Sequence, residues 1–274
     1  MKDNHVLTKY ELISGLPINI TFALVTDLHE HDPEPVLRLL RQAHPDIIFV
    51  AGDTFERSRR GKAYPQYVEH GGRLKRQIHR CILRFDDLFD CIAGPHEATP
   101  ENAYKFLRGV AAIRDGAGHP VPVCLSLGNH EQYLKAADRQ MMAEAGITLL
   151  DNAHCQVDIR GQRLHVGGLS STPDLKWLQR FAAKDGYKIL LCHHPEYYFR
   201  YMKDKLDIDL ILSGHAHGGQ WCIGGQGIYS PGQGLFPKYT RGVYEDHLIV
   251  SAGCANTASV PRLGNPCEVV LVQL

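Results

Sequence analysis

The sequence predicts an α/β domain built as two β-sheets packed face to face with helices outside. Short apolar runs rich in β-branched residues recur along the 274 residues, each the length of a buried strand. The first two, INITFALVTD (18–27) and DIIFVAGD (46–53), bracket a helical stretch, and a strand–helix–strand unit pairs its strands in parallel. Five of these runs end in polar clusters: Asp27-Leu28-His29, Gly52-Asp53, Gly128-Asn129-His130-Glu131, His193-His194-Pro195 and Gly214-His215-Ala216-His217.

The elements follow in order. Asp32-Pro33 offers an N-cap and a first-turn proline to a helix whose apolar face is Val36, Leu37 and Leu40. Residues 54–120 open on the basic run Arg57-Ser58-Arg59-Arg60-Gly61-Lys62. Within them Leu74, Ile78, Cys81, Phe85 and Leu88 recur at helical spacing, and a second helix starts after Thr99-Pro100 with Tyr104, Leu107 and Val110 on one face. Because this stretch joins two cluster-bearing strands, it reads as a helical insertion at the rim of a site; an ordinary crossover with a long helix is the alternative. VPVCLSLGNH (121–130) is the third cluster-bearing strand, and Gln132 to Ala145 is a helix closed by Gly146. ITLLDN, HCQVDI and RLHVGGL (147–169) are short strands with a hairpin turn at Arg160-Gly161, and Asp174 to Lys184 is a helix. YKILLCHH (187–194) and DIDLILSGH (207–215) are buried strands, 218–242 is a glycine- and proline-rich loop, and DHLIVSA and CEVVLVQL close the chain as strands. With no internal repeat or linker, residues 1–274 read as one domain.

Lysine plus arginine equals aspartate plus glutamate, 30 each, so no basic excess points to a nucleic-acid partner. Met1 to Tyr10 is polar, without an apolar export region or a membrane span. The eight cysteines show no paired spacing, and several, such as Cys124 and Cys192, sit inside apolar runs. That pattern fits buried reduced thiols in a cytoplasmic protein.

The polar clusters carry the chemistry. Strand geometry alternates faces, so Asp27 and His29 reach one ion only if the chain turns after Asp27. Asp53, behind Gly52, offers a carboxylate that can bridge two cations. Asn129 offers an amide oxygen, and His193, His215 and His217 offer imidazole nitrogens. Two carboxylates, one amide and four histidines suit Mn²⁺, Fe or Zn²⁺ better than Ca²⁺, and the lack of thiolate argues against a structural zinc. Two ions about 3.5–4 Å apart can hold a phosphoryl group and a bridging hydroxide in line for attack. His130, beside a ligand but pointing elsewhere, can protonate the leaving oxygen as general acid. His194 reads as a packed neighbour. In the loop leaving His217, Gln220, Tyr239 and Arg241 could contact substrate, while Trp221 and Phe236 offer either core packing or an apolar wall.

DLH, GD, GNHE, HHP and GHAH, in this order, resemble the five motifs of the calcineurin-like metallophosphoesterases. The tail segments SGHAHGGQ (213–220), PGQGLFPKYTRGVY (231–244) and VSAGCANTASVPRL (250–263) are similar to the bacterial phosphodiesterase branch grouped as YkuE- and YaeI-type. The resemblance implies a four-layer αββα sandwich of two mixed β-sheets flanked by helices. It implies Asp27, His29, Asp53 and His217 on one metal, Asp53, Asn129, His193 and His215 on the other, and His130 as the catalytic histidine. Two divalent cations follow, Mn first with Fe or Zn as alternatives. The implied reaction is phosphodiester more than phosphomonoester hydrolysis, on a small-molecule or lipid-linked phosphate ester. Some relatives carry GDxxDR, whose second aspartate orients the catalytic histidine and whose arginine holds phosphate. Here the run is Gly52-Asp53-Thr54-Phe55-Glu56-Arg57, so Glu56 stands in for that aspartate, one methylene longer, and Arg57 is retained. Met1 to Tyr10 shows none of the export segments common in that branch, and 54–120 is longer than usual for it. Two other readings are a metal-binding scaffold of this fold without turnover and a two-metal amidohydrolase-like hydrolase. Against the related β-lactamase-like hydrolases stands the absence of an HxHxDH pattern.

Overall fold

A computed structural model describes residues 4–57, 98–258 and 261–274. In chain order the main elements are β1 (His5–Glu11), β2 (Thr21–Val25), α1 (Glu34–Ala43), β3 (Ile47–Ala51), α2 (Pro100–Ala111), β4 (Val123–Ser126), α3 (Ala136–Glu144), β5 (Thr148–Leu150), β6 (Ala153–Ile159), β7 (Gln162–Leu169), α4 (Leu175–Ala182), β8 (Tyr187–Cys192) and β9 (Leu210–Ser213). Four two-residue strands follow: β10 (Cys222–Ile223), β11 (Gln226–Gly227), β12 (Tyr229–Ser230) and β13 (Gly234–Leu235). The last three are β14 (Gly242–Tyr244), β15 (Leu248–Val250) and β16 (Cys267–Gln273). The helix expected around Leu74 to Leu88 lies outside the described residues.

The larger strands form two six-stranded mixed sheets, ordered β1-β16-β2-β3-β4-β5 and β14-β15-β9-β8-β7-β6. β2, β3, β4 and β5 run parallel in the first, and β7, β8, β9 and β15 run parallel in the second. Alternation along each strand divides its side chains between two apolar layers. Phe22, Leu24, Ile47 and Phe49 meet Leu164, Val166, Ile189, Leu191 and Leu212 between the sheets. Ala23, Val25, Ile48 and Val50 face outward onto Val36, Leu37 and Leu40 of α1 and Phe106, Leu107 and Val110 of α2. Leu190, Ile211 and Leu248 pack on Trp177, Leu178 and Phe181 of α4. The result is the αββα sandwich. Each fully buried Leu, Ile or Phe contributes about 1.5–3 kcal/mol relative to exposure.

Local chemistry explains the boundaries. α2 begins at Pro100 behind an extended Thr99, where a proline lacking N–H costs nothing. The hairpin between β6 and β7 turns at Arg160 (φ 51°) and Gly161 (φ 85°), the two positive dihedrals that match the twist of a two-residue turn. α3 starts four residues later than the pattern suggested. Asp138 accepts the Lys135 N–H at 2.9 Å and so caps the helix there, while Asn129–Glu131 form a separate 3₁₀ turn. β1 was not expected at all. Its residues H-V-L-T-K-Y-E have no apolar run, because it is an edge strand, half-exposed along most of its length and held by parallel pairing to β16. Within 218–242 the chain makes two small hairpins rather than plain loop. No helix among the described residues is long and apolar enough to cross a membrane.

Candidate metal centre

The parallel strands of both sheets deliver their C-terminal ends to one edge of the sandwich, where crevices open in folds of this kind. Leaving β2, the chain runs beside the chain leaving β3: the Asp27 N–H donates to Gly52 O (3.1 Å) and the His29 N–H to Asp53 O (2.9 Å). Across the crevice the His215 N–H, after β9, donates to Asp27 Oδ1 at 3.1 Å. Five of the seven expected ligands, Asp27, His29, Asp53, His215 and His217, have φ between 45° and 65°. Side-chain-bearing residues seldom adopt that left-handed region, and its concentration here is the signature of a site held by surrounding structure. The turn at Asp27 is the one needed to bring Asp27 and His29 together. Two glycines make room. A Cβ on Gly128 would overlap the Asp53 carboxylate, and one on Gly214 would overlap that of Asp27.

Asp27, His29 and His217 converge with ligand atoms within 4.8 Å of one another, and so do Asp53, His193 and His215. His29 Nε2 sits 3.8 Å from Asp27 Oδ1 and 3.7 Å from Asp53 Oδ2. His193 Nδ1 donates to Ala51 O (2.8 Å), which leaves Nε2 free as a candidate ligand atom, 2.9 Å from Asp53 Oδ2 but out of hydrogen-bonding alignment with it. His29 Nε2, His193 Nε2 and Asn129 Oδ1 are all buried and without a hydrogen-bond partner. Buried polar atoms are nearly always satisfied. The two histidine nitrogens lie close to carboxylates yet are unpaired with them, and divalent cations fit that donor set.

The electrostatics agree. Burial alone would raise the Asp27 and Asp53 carboxyls, but His217, His29 and His193 around the first, and His193, His130 and His29 around the second, hold both below the ordinary carboxylate range. Burial works against charge on His193, yet Asp53 and Asp27 raise it to about 9. The cavity floor attracts positive charge. His215 and His217, where burial prevails, stay neutral, His217 falling to about 3, and a neutral imidazole is the form that binds a metal.

His130 differs from the buried histidines: its side chain is 34% exposed, against 2% for His29 and 0% for His193. Its N–H donates to Asp53 Oδ1 (2.9 Å), and its Nδ1 donates to Glu56 Oε2 (2.8 Å). Glu56 Oε1 meanwhile accepts from His29 Nδ1 at 2.6 Å, so one carboxylate spans both rings. Burial would raise Glu56, but these two bonds hold it at about 2. Arg57 is enclosed: Nη1 donates to Glu30 Oε1 (2.5 Å), and Nε and Nη2 donate to the two oxygens of Asp138 (2.9 and 3.0 Å). Such a buried bidentate pair is structural in character, with little of the fork left for a phosphate. Tyr239 is buried against Tyr198, Phe199 and Tyr244, and Arg241 pairs with the buried Glu268 at 2.8 Å. Gln220 bonds Asn256 (3.0 Å). His194 is buried between Ser171 and Glu196.

Sequence reasoning missed Glu131. Its carboxylate accepts four backbone N–H groups, from Asp53 (2.9 Å), Thr54 (2.6 Å), Phe55 (3.1 Å) and Gly128 (2.7 Å), and so ties the β3 tip to the β4 tip. Its place in GNHE was the available signal. Glu131→Ala leaves those amides buried without an acceptor, and an equilibrium urea titration is expected to show a loss of about 3–5 kcal/mol.

The family model for calcineurin-like phosphoesterases matches residues 20–219. This chain belongs to that family. Among curated relatives of this calcineurin-like phosphoesterase, an uncharacterized metallophosphoesterase of Aquifex aeolicus (strain VF5) is 31% identical over 164 residues, covering 54% of this chain and 59% of that protein. The uncharacterized metallophosphoesterase YkoQ of Bacillus subtilis (strain 168) is 27% identical over 159 residues, covering 54% and 58%. The chain spans 39% to 59% of the length of the curated relatives it matches. Among solved structures, the 5'-nucleotidase from Candida albicans SC5314 matches 72% of this chain and 42% of its own, at 14% identity and a TM-score of 0.35.

Proposed function

We propose that this calcineurin-like phosphoesterase hydrolyses phosphodiesters with two divalent cations, in the manner of the YkuE- and YaeI-type branch. Asp27, His29, Asp53 and His217 would hold one cation, and Asp53, Asn129, His193 and His215 the other. His29 Nε2 and His193 Nε2, buried and unpartnered beside Asp27 and Asp53, carry this reading, and Asn129 Oδ1 is likewise buried without a partner. When bound, such cations supply Lewis acidity toward a phosphoryl oxygen and lower the pKa of a nucleophilic water. The mixed nitrogen and oxygen donors suit Mn²⁺, Fe or Zn²⁺, and of these we propose Mn²⁺ first.

The protein's own residues do the proton work. With Nδ1 bound to Glu56, His130 presents Nε2 to the crevice, the atom that gives its proton to the leaving oxygen. Burial disfavours its charged form, but Asp53 and Glu56 raise its pKa, so it keeps that proton near neutrality. The enclosure of Arg57 favours diesters, since a monoester dianion carries an extra charge that a free arginine would meet.

Elemental analysis of the purified protein tests the cation reading, with two equivalents of Mn, Fe or Zn expected. Bis-p-nitrophenyl phosphate against p-nitrophenyl phosphate, in Mn²⁺, Fe²⁺, Zn²⁺ and Mg²⁺, tests the reaction. Faster turnover of the monoester would overturn the diester assignment, and inactivity on both with metal bound would favour a scaffold. Glu56→Gln is expected to lower activity about 10–100-fold. Because the Glu56 anion raises the His130 pKa, its loss should also move the alkaline limb of the kcat–pH profile to lower pH. An unmoved limb would detach Glu56 from the acid.

A further inference from the structure

We propose that the loop cluster beside the metal centre docks on an anionic lipid bilayer. The cluster begins four residues after His217. Trp221 and Leu263 pair as an isolated parallel bridge, which sets their side chains next to each other on one face. Ile223 lies two residues beyond Trp221 on β10, and the two-residue period of extended chain keeps it on that same face. All three are exposed, Trp221 by 42%, Ile223 by 60% and Leu263 by 58%. Phe236, 66% exposed, is held outward on a left-handed backbone (φ 51°), a conformation an aromatic residue seldom takes.

These side chains stand on a laced support rather than a slack loop. The Trp221 indole donates to Pro261 O (3.0 Å), the Cys222 N–H to Leu263 O (2.8 Å), the Ile228 N–H to Trp221 O (2.9 Å) and the Phe236 N–H to Ile228 O (2.9 Å). Asn265 ties the same support to the metal centre by donating to His217 O (2.7 Å). An apolar surface presented rigidly beside a reaction site is a docking surface.

Charge identifies the occupant. Neither 218–244 nor 251–267 contains a single aspartate or glutamate, although the whole chain is balanced at 30 and 30. Lys238 is exposed two residues from Phe236, whereas Arg262, next to Leu263, turns its guanidinium inward onto the carbonyls of Ala252 and Ala255 and towards His217 Nδ1 (3.2 Å). Apolar side chains led by a tryptophan, on segments that carry Lys238 and no carboxylate of their own, match the headgroup region of a negatively charged membrane, with Glu245 beside Lys238 as the nearest opposing charge.

Co-sedimentation of the full chain with phosphatidylcholine vesicles, with and without phosphatidylglycerol, tests this independently of turnover. The protein should pellet with the anionic vesicles, less so as salt rises, and its tryptophan emission should shift to the blue. Trp221 would be the reporter, because Trp177, the second of two tryptophans, is already buried. Phe236→Ser and, separately, Ile223→Ser should each reduce partitioning about tenfold or more with unchanged circular dichroism. Failure to pellet with either vesicle would overturn the proposal, as would binding that survives both substitutions. A dimer in sedimentation equilibrium that Phe236→Ser dissolves would give the surface to a second copy instead.

Discussion

His130→Ala is expected to lower kcat by about 10²–10⁴ while the protein keeps its full complement of cations. His130 stands at the point where two roles could be confused. Its ring lies edge-on to His29 at 4.7 Å between centroids, and it groups with His29 and Asp53 closely enough to be a ligand. Three observations favour the acid. Its Nδ1 is taken by Glu56, its backbone N–H by Asp53, and its side chain, 34% exposed, reaches solvent where those of His29 (2%) and His193 (0%) do not. The measurement is paired: steady-state rates on a diester and metal content by mass spectrometry on the same preparation. Loss of a metal equivalent would make His130 a ligand and leave the acid to be found elsewhere. If His130 protonates the leaving group as proposed, a substrate with an acidic leaving group should suffer less than an alkyl ester. Equal losses on both would count against the role.

Asp53→Asn is expected to do more, emptying the centre of both cations and cutting activity by at least about 10³-fold, which corresponds to about 4 kcal/mol of transition-state stabilisation. Asp53 lies within reach of both ligand groups: its Oδ2 is 3.7 Å from His29 Nε2 and 2.9 Å from His193 Nε2. Asparagine keeps the shape and can still accept the His130 N–H, so the fold should survive. What it removes is the charge that the two cations would share. Thermal unfolding with added Mn²⁺ gives the direct readout. A ligand that binds only the native state raises the Tm of the wild type by mass action, and the variant should show no such rise. Two retained equivalents in Asp53→Asn would show that another group bridges.

The strands were legible because their patterns are local. Phe22, Leu24, Ile47 and Phe49 announce themselves as apolar runs, and the runs sit where the pattern set them. The expected ligands were legible because each tip follows such a run. β1 was not, since its stability comes from β16, some 260 residues away in sequence, and not from its own composition. Glu131 and Asp138 were not, because their importance lies in which N–H groups and which guanidinium fold back onto them. Arg57 shows the same limit: its place in the motif suggested a phosphate contact, and only the fold reveals Glu30 and Asp138 closing around it.

The centre draws its groups from both sheets: Asp27, His29, Asp53 and Asn129 from the first, His193, His215 and His217 from the second. The thickness of the apolar layer between the sheets is therefore a caliper for the candidate metal site. Phe22 and Phe49, edge to face at 5.2 Å, belong to the layer that sets how far apart the two groups of candidate ligands stand. A core residue changed for a larger or smaller one would tune the reach between the proposed cations from a distance, without touching a single candidate ligand.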